Sequence, residues 1–334
     1  MMSRWIRSSR TVAALAAATL VLAACSAETE EPEADPSQGE GATLVEVSPL
    51  TGEPLDGPLP EHPVMVVKIE NTSAGAPQTG LDRADLVVGQ LVEGGLTRLA
   101  AFYHSSLPSG VGHVRSLRTT DISLAKPVNG TIVASGGAGG VVERVKGNRL
   151  GVVVEDEGGA GFSRDSAKSA PCDRLIDLGA AAKRAKKASI PGPYFAWTAE
   201  GEASGAPEPA KASRATVRFS ASTETQWRLS KGTWKRTNGF ATKEFAADNL
   251  VVLEVPVSDA GYTDPAGNPV PETILKGSGA ATILTADGAV EGTWAKDGIG
   301  GSITFAADGE EFTLDPGRTW IEMIPRGSGS VSYR

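Results

Sequence analysis

Short apolar runs alternate with turn chemistry along most of the chain, and their spacing changes near residue 200. Before that point, Val64–Ile69, Asp85–Val92, Arg98–His104, Thr131–Ser135 and Val152–Glu155 are rich in β-branched and aromatic residues, which predicts strands. Thr120–Lys126, stopped by Pro127, and Gly139–Lys146 read as helices between them. Asp173–Ala188 is the clearest helical pattern. Leu175, Ile176 and Leu178 fall on one side, and Lys183, Arg184, Lys186 and Lys187 come near its end, where cations favour the helix dipole. Residues 201–213 (GEASGAPEPAKAS) are a connection by composition, and cutting there is expected to release two resistant pieces.

Beyond the connection the helical period disappears. Ala215–Ser220, Thr225–Leu229, Asn249–Val255, Ala281–Leu284, Val290–Ala295, Ser302–Phe305, Phe312–Leu314 and Thr319–Ile324 alternate with turns such as Asp287-Gly288 and Asp308-Gly309, the spacing of hairpins. Trp227, Trp234, Trp294 and Trp320 lie here, and in a small β domain such residues read as core before they read as a glycan platform. The pattern as a whole predicts an α+β protein: an N-terminal mixed α/β domain over 49–200, then a smaller β-rich C-terminal domain over 214–334.

The N-terminus changes the picture. Arg4, Arg7 and Arg10 precede the apolar stretch Val12–Ala24, too short for a comfortable membrane span, so residues 1–24 read as an export signal. It ends in Leu22-Ala23-Ala24-Cys25, the pattern of a bacterial lipobox, in which the thiol of Cys25 carries diacylglycerol and the chain is cut before it. The competing reading is an ordinary signal peptide with a chance cysteine. Residues 25–48 then hold seven acids and no Lys or Arg among four Pro and Gly, an acidic disordered tether. The expected location is the extracytoplasmic face of the cell membrane, held by lipid.

Composition narrows the function without naming it. Hydrophobic residues make up 40%, enough for a sizeable core. The net charge of −8 becomes −11 once the three signal arginines are removed, which argues against a general nucleic-acid partner. With Cys25 lipidated, Cys172 is a lone thiol and no intramolecular disulfide forms. The three histidines have no metal-ligand spacing, no cofactor motif occurs, and Gly136-Gly137-Ala138-Gly139-Gly140 lacks the order of a phosphate loop.

The densest polar segment runs from 68 to 121: Lys68-Ile69-Glu70-Asn71, Pro77-Gln78-Thr79-Gly80-Leu81-Asp82-Arg83-Ala84-Asp85, Glu93-Gly94-Gly95-Leu96-Thr97-Arg98 and Gly112-His113-Val114-Arg115-Ser116-Leu117-Arg118. Ser135-Gly136-Gly137 and Phe162-Ser163-Arg164-Asp165 follow. Arg98, Arg115, Arg118 and Arg164 are four guanidinium groups on segments flanking strands and glycine turns, and guanidinium forks suit bidentate binding of carboxylate or phosphate. Gly94-Gly95 and Gly136-Gly137 permit close approach by a ligand or another chain. The bland reading is that Glu93, Asp82, Asp85, Asp121 and Asp165 neutralise these arginines in a buried network.

These motifs, in this order, resemble the YerB-like bacterial lipoproteins that carry the domain of unknown function DUF3048. The resemblance extends through Arg164-Asp165 to Asn249-Leu-Val-Val, Gly292-Thr-Trp and Pro316-Gly-Arg-Thr-Trp320, covering about Pro49 to Arg326. It implies a two-domain lipoprotein and brings no established reaction. The sequence departs from the family at His113, where proline is usual, and at Ala170-Pro171-Cys172-Asp173, where many members have His in place of Cys172. The expectation is a binding protein whose arginine-lined cleft, with Asn71, Glu93, Arg98, Arg115, Ser116, Arg118, Arg164 and Asp165, holds an anionic cell-wall component without metal or cofactor. The alternatives are an envelope glycan hydrolase or transferase using Glu93 or Asp165 as acid–base, and a structural scaffold. Oligomeric state is left open.

Overall fold

The computed structural model describes residues 46–185 and 189–334. The export signal, Cys25, most of the acidic tether, and Lys186 and Lys187 lie outside the described residues. Val45–Arg334 forms one compact unit.

The core is a single sheet shared by both halves of the chain. Its eleven strands run, in spatial order, Glu310–Phe312, Thr304–Ala307, Ala289–Lys296, Gly277–Leu284, Asn249–Val255, Thr319–Pro325, Leu86–Leu91, Thr97–Tyr103, Met65–Glu70, Thr131–Ala134 and Gly151–Val154. The seam lies in the middle, where Thr319–Pro325 pairs in parallel with Leu86–Leu91. Thr319–Pro325 and Met65–Glu70 are buried at every position, as strands covered on both faces must be, and this is why they read as near-continuous apolar runs.

Two cores sandwich this sheet. On one face Val66, Leu86, Val88 and Phe102 pack with Leu124, Tyr194, Phe195, Trp294 and Phe305. On the other, Val67, Val87, Leu99 and Ala101 pack with Val217, Trp227, Trp234 and Trp320 beneath a four-stranded sheet of order Thr233–Arg236, Glu224–Ser230, Arg214–Arg218 and Ser330–Tyr333. All four tryptophans of the second half are core, with Trp227 the most exposed at 2%.

The helix expected over Asp173–Ala188 begins later. Arg174–Ile176 is a strand, paired with Val111–Gly112 and Phe162–Arg164. The helix is Leu178–Arg184, started by Asp177, whose carboxylate accepts the Ala180 N–H at 2.8 Å. The apolar side chains of Leu175 and Ile176 matched a helical period by chance of spacing, and ladder pairing overrode it.

Residues 201–213 form no helix or strand, yet they are laid along the second half: Ala210 exchanges two 2.8 Å backbone bonds with Ala289, and the Thr313 N–H donates to Ser204. Because the sheet continues across the seam, two pieces cut here are expected to stay together. A nick between 201 and 208 should give two fragments on a denaturing gel that co-elute in native size-exclusion chromatography and part only in denaturant. Separation in native buffer would show that the seam does not hold.

Candidate functional site

The parallel strands Met65–Glu70, Thr131–Ala134 and Gly151–Val154 end at one edge, the usual place for a site in such a sheet. Across that edge runs the segment from His113 to Arg118. The Arg115 N–H donates to Lys68 O at 2.9 Å, the Leu117 N–H to Gly136 O at 3.0 Å, and Arg115 O accepts the Ser135 N–H at 3.1 Å. This segment therefore delivers Arg115, Ser116 and Arg118 to the strand ends. Alternation along the strands brings the rest: Lys68 and Glu70, Gln90, and Arg98 opposite Glu70 share one face.

Three ion pairs result. Lys68 Nζ sits 2.6 Å from Asp121 Oδ1, both fully buried, and Asp121 also accepts Gln90 Nε2 at 3.1 Å and the Arg118 N–H at 2.7 Å. Burial is the largest influence on Lys68 and pulls its ammonium down to about 8 against the support of Asp121. Arg118 grips both oxygens of Glu93, from Nε and, at 3.0 Å, from Nη2. Arg115 Nε lies 3.0 Å from Glu70 Oε2.

Arg98 is the surplus cation. It is 5% exposed and, among the described residues, forms no ion pair; its one hydrogen bond is Nη1 to Ser116 O at 3.1 Å, and buried Nε has no partner. Burial first, then the neighbouring Arg118 and Arg115, depress its guanidinium to about 10, far below the usual value. Four cations thus face three carboxylates, Glu70, Glu93 and Asp121. A hairpin from the second half, Val257–Thr263 and Pro269–Thr273, lies against the same edge. The Thr273 N–H donates to Thr120 Oγ1 at 2.9 Å. Gly139, at φ +62°, leaves the space occupied by the Tyr262 ring, which a Cβ there would strike at 2.5 Å.

The other sequence candidates lie elsewhere. Asn71, one position past Glu70, points to the opposite face, where its Oδ1 accepts Gln78 Nε2 at 3.1 Å and Arg236 Nη1 at 2.9 Å. Arg236 also reaches Gln78 Oε1 and stacks 4.6 Å from the Trp320 ring. Arg318 donates to the carbonyls of Asp82 and Ala84. The Asn71, Gln78 and Asp82–Ala84 motifs are thus held by arginines of the second half, across the seam.

Arg164 is on the short strand Phe162–Arg164, half exposed, paired with Glu155 at 2.7 Å and Asp173 at 3.0 Å. Asp165 accepts His113 Nε2 at 2.9 Å while His113 Nδ1 meets Gly75 O at 2.8 Å. The His113 N–H is the first cause holding the Asp165 carboxyl below its usual range. Ser116 Oγ lies 3.3 Å from Ser135 Oγ. Cys172 has Arg115 Nη1 at 3.5 Å, but burial pushes its thiol up, away from the reactive thiolate.

Gly136 is closed off by Asp156 and Gly95 faces Ser220, so these glycines admit the protein's own chain. Reading the sequence missed Lys68 as a site residue, because it sits inside an apolar run, and missed the 257–273 hairpin, whose turn-rich composition hides its strands. The signal for Lys68 was available: a lone cation in a strand buried on both faces requires a buried acid.

Comparison with known proteins gives two family models. One, described as the N-terminal domain of a protein of unknown function (DUF3048), matches residues 50–191; the other, its C-terminal domain, matches residues 215–321. A Bacillus subtilis (strain 168) protein named "Putative lipoprotein YerB" is 24% identical over 297 residues, covering 83% of this chain and 86% of that one. The crystal structure of the YerB protein from Bacillus subtilis superposes with a TM-score of 0.70 at 21% identity, covering 86% of this chain and 99% of that one. That likeness establishes the fold. Among the described residues no helix is long and apolar enough to cross a membrane, and no cluster of His, Cys, Asp and Glu could hold a metal.

Proposed function

The chain belongs to the DUF3048 family, and on that premise we propose that it is an extracytoplasmic lipoprotein, anchored through Cys25, that binds an anionic cell-envelope component at Arg98. The observation that carries this reading is the unpaired, buried guanidinium of Arg98 among three arginine or lysine groups that already have carboxylates. Burying a cation is costly unless an anion and hydrogen bonds compensate it. Here the protein supplies one carbonyl, and a carboxylate or phosphate oxygen would supply the rest. The lipobox at Cys25 supports the anchor, and the relative's name describes a lipoprotein.

The geometry moves weight within the arginine group. Arg118 is committed to Glu93 and Arg115 to Glu70, so they position and polarise, while Arg98 is the group free to take a ligand. Catalysis is less supported. Both oxygens of Glu93 are engaged by Arg118, and Asp165 is held by His113, which leaves neither as a ready proton donor.

Thermal melts with inorganic phosphate or a carboxylate-bearing muropeptide, at constant ionic strength, test the reading. A ligand at about one hundred times its Kd should stabilise the parent protein by roughly 2.7 kcal/mol. Arg98→Met should lose that shift while its unliganded melt stays close to the parent's. An equal shift in both proteins would reject Arg98 as the binding group.

A further inference from the structure

We propose a second anion site on the outer four-stranded sheet: a row of cations that binds an extended phosphodiester polymer. Arg228 is directly opposite Lys235 on one neighbouring strand and Arg214 on the other. Arg214 in turn exchanges two 3.0 Å backbone bonds with Arg334, one residue past the end of the fourth strand. All four side chains are exposed, because the alternate positions Trp227, Trp234 and Ala215 fill the core beneath. One rung of the sheet therefore carries three net cations, Lys235, Arg228 and Arg214, side by side at the ~4.8 Å spacing of adjacent strands, with the Arg334 guanidinium, beside its own terminal carboxylate, at the end.

Like charges directly opposite one another destabilise a sheet. The usual remedy is an interleaved acid, and the next rung but one shows it: Arg218 pairs with Glu224 at 2.7 Å. Among the side chains of the cationic rung there is no such remedy. Its own-strand neighbours two positions away include Gln226, Ser230, Thr233, Thr237, Thr216 and Ser332, all neutral, and among the described residues none of the four cations forms an ion pair. This concentration occurs on a chain whose net charge is −8.

Shape selects the occupant. Arg214, Arg228, Arg334, Gln226, Thr216 and Thr237 border a concavity of about 450 Å³. A groove crossed by a line of guanidinium forks fits a strand of successive phosphates, with hydroxyls and an amide beside it for polyol or sugar groups. A flat bilayer surface would not enter it. The rung lies on the sheet covering the face opposite Arg98, so the two sites are separate.

The test uses the full chain in a non-ionic detergent, titrated with poly(glycerol phosphate) over a salt series. The parent should bind with a slope of log affinity on log salt of about −2, at ~0.7 per neutralised phosphate. The double variant Arg214→Gln/Arg228→Gln should melt like the parent, bind at least about tenfold more weakly, and show a shallower slope. Arg218→Gln, on the same sheet but paired with Glu224, should bind like the parent. Absence of polymer binding at low salt overturns the proposal, as does an equal loss in Arg218→Gln or no loss in the double variant. Loss of polymer binding in Arg98→Met would place the polymer at the other site. Rung-dependent binding to phosphatidylglycerol vesicles equal to that of the polymer would replace the groove with a lipid surface and also overturn it.

Discussion

Arg118→Met is expected to destabilise the protein by roughly 3–5 kcal/mol, because it strips the 8% exposed Glu93 carboxylate of the guanidinium that holds both its oxygens. Domains are typically stable by about 5–15 kcal/mol, so the loss is a large fraction of the whole. It should appear as a fall in Tm on the order of 10 °C. Arg98→Met is expected to differ in kind. It removes a buried cation that lacks a carboxylate and lies near Arg115 and Arg118, at the expense of one bond to Ser116 O, so the change should stay within about 1 kcal/mol and can be stabilising. Urea melts of the two variants separate them. Equal collapse of both would mean that Arg98 is as structural as Arg118.

The second large effect is expected at Lys68. Lys68→Met strands Asp121, fully buried and retaining only Gln90 Nε2 and the Arg118 N–H as donors, and should cost roughly 3–5 kcal/mol. Adding Asp121→Asn removes the stranded charge and keeps an acceptor for one of the two donors, Gln90 Nε2 and the Arg118 N–H, which bond different oxygens. The double variant should therefore recover part of the loss, a coupling that a double-mutant cycle measures directly. Additive losses would contradict a direct Lys68–Asp121 dependence.

Much of the strand framework was legible because alternation and β-branched runs record burial directly, as at Asn249–Val255, whose observed bounds match the expected ones. The joining of both halves into one sheet was not. Nothing local in Leu86–Leu91 or Thr319–Pro325 records that they are neighbours, although the two-face burial of Thr319–Pro325 is visible in its composition. The site followed the same division. Arg98, Arg115 and Arg118 do converge with Glu93 at one sheet edge, but which arginine meets which carboxylate depends on contacts spanning up to 45 residues, from Glu70 to Arg115. Asn71 was misplaced by one step of strand alternation, since position 71 faces opposite to position 70. Arg236 and Arg318 carried no sign that they hold the first half's motifs, because their partners are backbone carbonyls and amides more than 150 residues away.

The most direct test of the account is a crystal structure of the folded region with the anion that stabilises it most. An anionic oxygen is expected about 2.7–3.2 Å from the Arg98 guanidinium, with Arg118 still holding both oxygens of Glu93. An anion bound while Arg98 touches only Ser116 O, or held by an Arg118 that has released Glu93, would contradict it.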